Sequence, residues 1–215
     1  MPKKSKKSQA KQPPADNLSH AKVAEAAVHL LDTRGTRGLT MRALAEHLGS
    51  GVMSLYWYVD NKDGVFDLAL DFVMQYNPPA SHDLDTIDCR AGVIAILQDW
   101  REVMLKHPWS VFLLPQRTLG PNILTRLEML AKILSRAGVQ DSALNTAIWS
   151  LWNYVVGATT TRVSFLIQME KSPDPPVLDD SFTLISQSGL LMSDDWDGVF
   201  LGGLDMLLDG IIEDA

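Results

Sequence analysis

The chain has 215 residues, 46% hydrophobic and 21% charged, a globular composition with enough material for one good-sized domain or two small ones. Its net charge of −7 hides a gradient: residues 1–62 hold 10 Lys and Arg against 5 Asp and Glu, net +5, and residues 63–215 hold 9 against 21, net −12, so the two halves are suited to different partners. One cysteine, Cys89, excludes an internal disulfide and a Cys-based zinc site and makes a reducing, cytoplasmic setting the default.

Residues 1–17 are rich in Lys, Ser, Gln and Pro with almost nothing to bury, so a disordered basic tail is expected there. The polar run Ser8–Asn17 excludes a signal peptide behind Lys3, Lys4, Lys6 and Lys7. Ser19 is a good N-cap, with Leu18 and Val23 placed for a hydrophobic staple. Val23, Ala27, Leu30 and Leu31 then recur at helical spacing until Gly35 supplies a left-handed stop, which predicts a helix over 19–34. Thr40 caps a short second helix with Leu44, Ala45 and Leu48 on one face and Gly49 at its end. Ser50 and Gly51 lead into a third helix over 52–58, and a short helix, a Gly-containing turn and another helix is the helix-turn-helix layout. Asn61 or Asp60 caps a fourth helix carrying Val65, Phe66, Ala69, Leu70 and Val73, which Asn77-Pro78-Pro79 ends.

Loop-like composition from Pro78 to Asp88 places the boundary between an 18–77 domain and a 78–215 domain. Helices are predicted over 89–106, 109–114, 121–137, 142–169 and 196–213, with a Pro- and Asp-rich connection around 171–181. No segment alternates as a strand does, and the fold class is all-α. No helix reaches the ~20 apolar residues of a membrane span.

In a helix-turn-helix the second helix lies in the major groove and its neighbour contacts phosphates. Val52, Met53 and Ser54 therefore fall where side chains touch base edges, and Leu55 turns inward. Tyr56, Trp57 and Tyr58 cannot all be buried on one helical turn, so they are expected to meet sugar and phosphate. Lys62 opens the fourth helix, where free N–H groups add to its pull on an anion, and Thr40 and Arg42 approach from the second. Packing accounts for Trp57 as well as contact does.

The run Gly38-Leu-Thr-Met-Arg-Ala-Leu-Ala-Glu-His-Leu-Gly49, followed by Leu55-Tyr-Trp-Tyr-Val-Asp-Asn-Lys62, resembles the DNA-binding domain of the tetracycline-repressor (TetR) family over about 19–73. Looser similarity continues through Trp100, His107-Pro108-Trp109, Gly120-Pro121-Asn122 and Ala137-Gly138. The resemblance implies a homodimeric regulator of a palindromic operator on double-stranded DNA, most often a repressor released by a small molecule. It carries DNA contact onto Thr40, Arg42, Val52, Met53, Ser54, Tyr56, Trp57, Tyr58 and Lys62. His107 falls where the tetracycline binders hold drug-bound magnesium, but Asn77-Pro78 replaces their fourth-helix histidine, a departure that weighs against tetracycline itself. No metal or cofactor is assigned to the chain.

In the C-terminal half, Trp100, Met104, His107, Trp109, Phe112, Gln116, Trp149, Trp152, Asn153, Phe165 and Met169 supply large apolar groups and a few polar ones suited to a hydrophobic, aromatic effector; most are expected to be core. The segment 142–169 has one apolar face of Leu144, Ile148, Leu151 and Val155 and another through Trp149, Trp152, Val156, Val163 and Ile167. Pairing this helix and the last one, with its Phe200, Leu204, Leu207, Leu208 and Ile211, with their symmetry mates is expected to bury both faces in a twofold four-helix bundle; an ordinary intramolecular core would account for the same pattern.

An enzyme is the rival class, but G-x-S-x-G, H-E-x-x-H, phosphate-loop and G-x-G-x-x-G patterns do not occur. Ser193-Asp-Asp-Trp-Asp-Gly198 mimics part of a calcium loop, yet Leu204 stands where a closing acid is required, so it reads as a helix-capping turn. The same fold could also serve a ligand-responsive activator or a non-DNA-binding interaction module.

Overall fold

A computed structural model of the chain describes residues 18–77, 86–171, 183–184 and 195–212. The expected tail at 1–17, the connection from 172 to 181, and Ser193 and Asp194 lie outside the described residues. The fold is all-α: α1 His20–Gly38, α2 Met41–His47, α3 Val52–Leu55, α4 Lys62–Val73, α5 Cys89–Lys106, α6 Trp109–Leu113 with a 3-10 turn Leu114–Gln116, α7 Pro121–Arg136, α8 Asp141–Lys171 and α9 Trp196–Ile212. Two compact units divide after Phe72, within the last turn of α4.

Capping chemistry fixes the first unit. Ser19 Oγ accepts from the Lys22 amide at 3.2 Å, Thr40 Oγ1 from the Ala43 amide at 3.0 Å, and Asn61 Oδ1 from the Gly64 amide at 2.9 Å, each tying down an amide that has no partner within its helix. Gly35 takes φ +66°, as its position after Arg34 predicts, but the chain makes one more helical turn to Gly38 before Leu39 leaves in an extended conformation. Gly49 takes φ +62°, which bends the chain between α2 and α3 where a side chain would be strained. Val23, Leu30 and Leu31 of α1, Leu44 of α2, Leu55 of α3, and Val65, Ala69 and Leu70 of α4 are all buried. At about 1.5–3 kcal/mol for each large aliphatic side chain, that core is what holds such short helices together.

In the second unit α8 packs on α5, α6, α7 and α9, and α5 also contacts α7 and α9. Its centre is Val93, Ile96, Leu97, Trp100 and Met104 of α5, Leu130, Ile133 and Leu134 of α7, Leu151 and Val155 of α8, and Leu204 and Leu208 of α9. Two arginines on α5 fasten α9: Arg90 pairs with Asp205 at 2.9 Å and with Asp209, and Arg101 pairs with Asp197 at 2.7 Å while lying 4.9 Å from the Phe200 ring centre. Asp195 Oδ1 accepts from the Gly198 amide at 2.8 Å, so the acidic turn caps α9.

Candidate nucleic-acid interface

The short helix α3 is held by a single anchor. Leu55 is fully buried, while Met53 is 77% exposed, Tyr56 46% and Trp57 49%. The helix closes earlier than its composition predicts: Tyr56 is the C-cap, and residues 56–58 turn, with the Tyr58 amide bonded to the Leu55 carbonyl at 2.9 Å. This turn is how three successive aromatics are accommodated. The chain leaves helical geometry, Val59 takes the next buried place, and the rings of Tyr56 and Trp57 stay half in solvent.

Each expected DNA contact has a definite place on this head. Arg42, on the first turn of α2, is exposed, and Val52 and Ser54 are half-buried at the start of α3. Thr40 Oγ1 accepts its capping bond and keeps its proton to donate. Tyr58 differs from the sequence expectation. Its hydroxyl donates to the Leu18 carbonyl at 2.9 Å and its ring meets the edge of His20 at 5.2 Å, so its one proton is committed inside the fold. Lys62 donates to the Thr36 carbonyl at 3.3 Å and lies 5.1 Å from the Phe66 ring centre. An ammonium has three donors, which leaves Lys62 capacity for a phosphate.

The residues expected at an effector site divide by depth. Trp100, Met104, His107, Trp109 and Trp152 are buried; Phe112, Gln116, Trp149, Asn153 and Met169 are exposed; Phe165 is half-buried, its ring 5.2 Å from that of Trp196. Trp100, Trp152 and Trp149 form an edge-to-face ladder with centroids 4.8 and 6.0 Å apart, and Trp100 Nε1 donates to Met74 Sδ at 3.0 Å. His107 caps α5 beside Trp109, 6.0 Å away, and Gln116 Nε2 donates to the Phe112 carbonyl at 2.7 Å. A groove of about 250 Å³ opens elsewhere, between the start of α8 and the end of α9, lined by Val139, Gln140, Ala143, Ala147 and Ile211. None of the expected effector residues lines it.

The bundle residues likewise divide. Leu151, Val155, Phe200, Leu204 and Leu208 are enclosed by the chain's own helices, and Leu144, Ile148, Leu207 and Ile211 are half-buried. For the first five the intramolecular core that the same pattern allows is what the fold shows, because α8 has several neighbours within the same chain. The outward apolar stripe of α9 is instead Val199, Gly202, Met206 and Gly210, at i, i+3, i+7 and i+11, with Val199 58% and Met206 78% exposed. Two apolar stripes on one helix are the signal in the sequence, and the glycines mark the second.

Sequence reasoning also missed Arg126. On α7 it occupies the apolar face with Ile123, Leu130 and Ile133 and is wholly buried. Its Nε donates to the Met74 carbonyl at 2.8 Å, its Nη2 to the Gln75 carbonyl at 3.3 Å, and its Nη1 pairs with Asp99 at 2.7 Å. The rings of Tyr76 and Trp100 lie 4.8 and 5.5 Å from the guanidinium carbon. Burial pulls the Arg126 pKa down, against Asp99, which raises it.

An all-α chain with a helix-turn-helix head and a larger helical unit defines a class of protein, and comparison with known proteins gives the family. Residues 23–69 match the model for bacterial regulatory proteins of the tetR family, and residues 88–214 match the tetracyclin repressor-like C-terminal domain. The chain belongs to the tetR family of bacterial regulators. It is 39% identical over 147 residues to an HTH-type transcriptional regulator of Saccharopolyspora erythraea, covering 67% of this chain and 61% of that protein. It is 35% identical over 153 residues to the HTH-type transcriptional repressor DrrR1 of Streptomyces coeruleorubidus, covering 70% and 56%. The match thus spans less than two thirds of either relative. Among solved structures, ActR of Streptomyces coelicolor in complex with actinorhodin superposes with a TM-score of 0.74 at 25% identity, covering 93% of this chain and 98% of that one.

Proposed function

We propose that the chain is a DNA-binding transcriptional repressor that acts as a homodimer and leaves a palindromic operator when a small hydrophobic effector binds. The observation that carries this is the division of α3 and the turn after it: Leu55 is locked in the core while Met53 of the same helix and Tyr56 and Trp57 of the turn face solvent. Such a helix is rigidly placed yet free to enter a groove. Met53 and its neighbours Val52 and Ser54 are assigned to base edges, and Arg42, Thr40, Tyr56, Trp57 and Lys62 to the backbone. Tyr58 acts from within the head, since its hydroxyl proton is taken.

Repression and its relief are supported by the relatives: DrrR1 is a transcriptional repressor, and ActR has been solved with actinorhodin. Trp149, exposed at the outer end of the tryptophan ladder, is the ring assigned to stacking on an aromatic effector. The effector acts by binding unequally to two arrangements of the paired heads, because equal affinity shifts no equilibrium. Pairing is assigned to the outward stripe of α9 with the exposed side of α8.

The test is a titration of a fluorescent duplex, enriched from a random pool on the protein itself, over a range of salt concentrations. Arg42→Ala should lower the magnitude of the salt slope by ~1 for the phosphate left without its cation, and Tyr56→Ala should weaken binding. A wild-type protein that enriches no duplex contradicts the proposal.

A further inference from the structure

Two histidines of the head face each other across a pair of helices. His29, on α1, and His47, the last residue of α2, have ring centres 4.8 Å apart and planes 26° from parallel. Both are exposed, in a groove of about 380 Å³ walled by Lys22, Glu25, Ala26 and His29 of α1 and by His47 and Leu48 at the end of α2. Glu25 stands four residues before His29, one turn away on the same face of α1. Among the described residues neither imidazole is hydrogen-bonded, and the Glu25 carboxylate has no partner.

These are the parts of a metal site. A neutral imidazole keeps one nitrogen lone pair available, and imidazole suits Zn²⁺, Cu²⁺ and Ni²⁺. Two imidazoles on one tetrahedral Zn²⁺ have their ring centres about 5 Å apart. The observed separation already matches. The ring planes do not, because nearly parallel rings cannot aim their nitrogens at one point. Only the torsion next to the ring has to change, and for histidine that torsion is broad and soft. Among the described residues no three His, Cys, Asp or Glu side chains form a ready cage, so the ion itself draws its ligands together. Lys22 in the same groove opposes a cation, and Glu25 offsets it.

We propose that His29 and His47 form a two-histidine site for a divalent ion of the Zn²⁺, Cu²⁺ and Ni²⁺ class, with the Glu25 carboxylate and water completing its shell. The bound ion ties α1 to the end of α2, two residues before Gly49 turns the chain toward α3. The site stands on its own geometry and does not depend on the DNA-binding function proposed above.

In the experiment the full-length, untagged protein is stripped with a chelator and titrated with Zn²⁺ alone by calorimetry. One Zn²⁺ per chain is expected, and His29→Gln and His47→Gln should each weaken its binding by about tenfold or more, since either change removes the second ligand of the chelate. Glu25→Gln should weaken it less. His20→Gln, on the same helix but outside the groove, should bind as the wild type does. Zn²⁺ should raise the thermal unfolding midpoint of the wild type and leave that of His47→Gln in place. With Cu²⁺ instead of Zn²⁺, electron paramagnetic resonance of the wild type should show two coordinated nitrogens, a readout that holds even if a variant misfolds. Absence of Zn²⁺ binding overturns the proposal. Binding that survives both histidine changes also overturns it, because the ion then sits elsewhere. So does a lowered unfolding midpoint, the sign of a metal that prefers the unfolded chain.

Discussion

Arg126 and Asp99 meet at 2.7 Å with the arginine side chain wholly out of solvent and the aspartate 40% exposed. The pair joins α7 to α5, and the same guanidinium closes the carbonyls of Met74 and Gln75 beyond α4. Removing one partner of such a pair leaves the other charge and two carbonyls without donors. Because Asp99 retains some water, the loss falls at the lower end of the usual range. Arg126→Met should destabilise the protein by about 3 kcal/mol, measured by urea denaturation, and adding Asp99→Leu should recover part of it. A loss below about 1 kcal/mol would show that the pair is not structural.

Tyr76 stacks on that arginine. Burial raises its phenol pKa above the ordinary value, Asp99 adds to the rise and Arg126 opposes it; burial also raises Tyr154, against Arg101. A pKa raised by folding gives stability that is complete below the unfolded value, about 10, and is lost as pH climbs through the folded one. Alkaline absorbance titration should show a late ionising component that Tyr76→Phe diminishes, and the Phe variant should lose less stability above pH ~10. A wild-type curve without the late component contradicts the assignment.

Stability and recognition should separate on neighbouring residues of α3. Leu55 is fully buried and Met53 is 77% exposed. Leu55→Ala should cost about 2–5 kcal/mol and loosen the head, whereas Met53→Ala should change stability by less than about 0.5 kcal/mol and alter the preferred DNA sequence. Calorimetry and a binding-site selection on both variants decide this. A large stability loss in Met53→Ala would place that side chain in the core.

The proposed pairing surface makes its own demand. Met206 and Val199 point outward from α9, clear of the intrachain core. Met206→Glu should shift light scattering at micromolar concentration from about twice 23.8 kDa toward a single chain, with helical content unchanged. A variant that remains dimeric would move the interface elsewhere.

Much of the first unit is legible in the sequence because its signals are local. Ser19, Thr40 and Asn61 cap the helices their positions predict, and Gly49 makes the turn. α5 spans the predicted 89–106 because Asp88 and Lys106 end a clean apolar period. What stays hidden depends on distant partners. Nothing near Arg126 in the chain names Met74 or Asp99, although an arginine on an apolar helix face is a clue. Tyr58 reads as another phosphate hook in the sequence, and only the fold brings Leu18, forty residues earlier, to accept its proton. For α8 and α9 the period reveals that two faces are apolar, but the choice of which face meets another chain depends on how many neighbours the helix already has.

At the centre stands the claim that α3 and the turn after it face a DNA duplex, one copy from each of two protomers. Selection on fully randomised duplexes with the full-length protein, followed by sequencing of the retained molecules, tests it most directly. The expected result is an inverted repeat whose half-sites lie about one helical turn apart, roughly 34–36 Å, with the enriched bases changing in Met53→Ala. Retained duplexes with no common motif, or a motif unaffected by Met53→Ala, would contradict it.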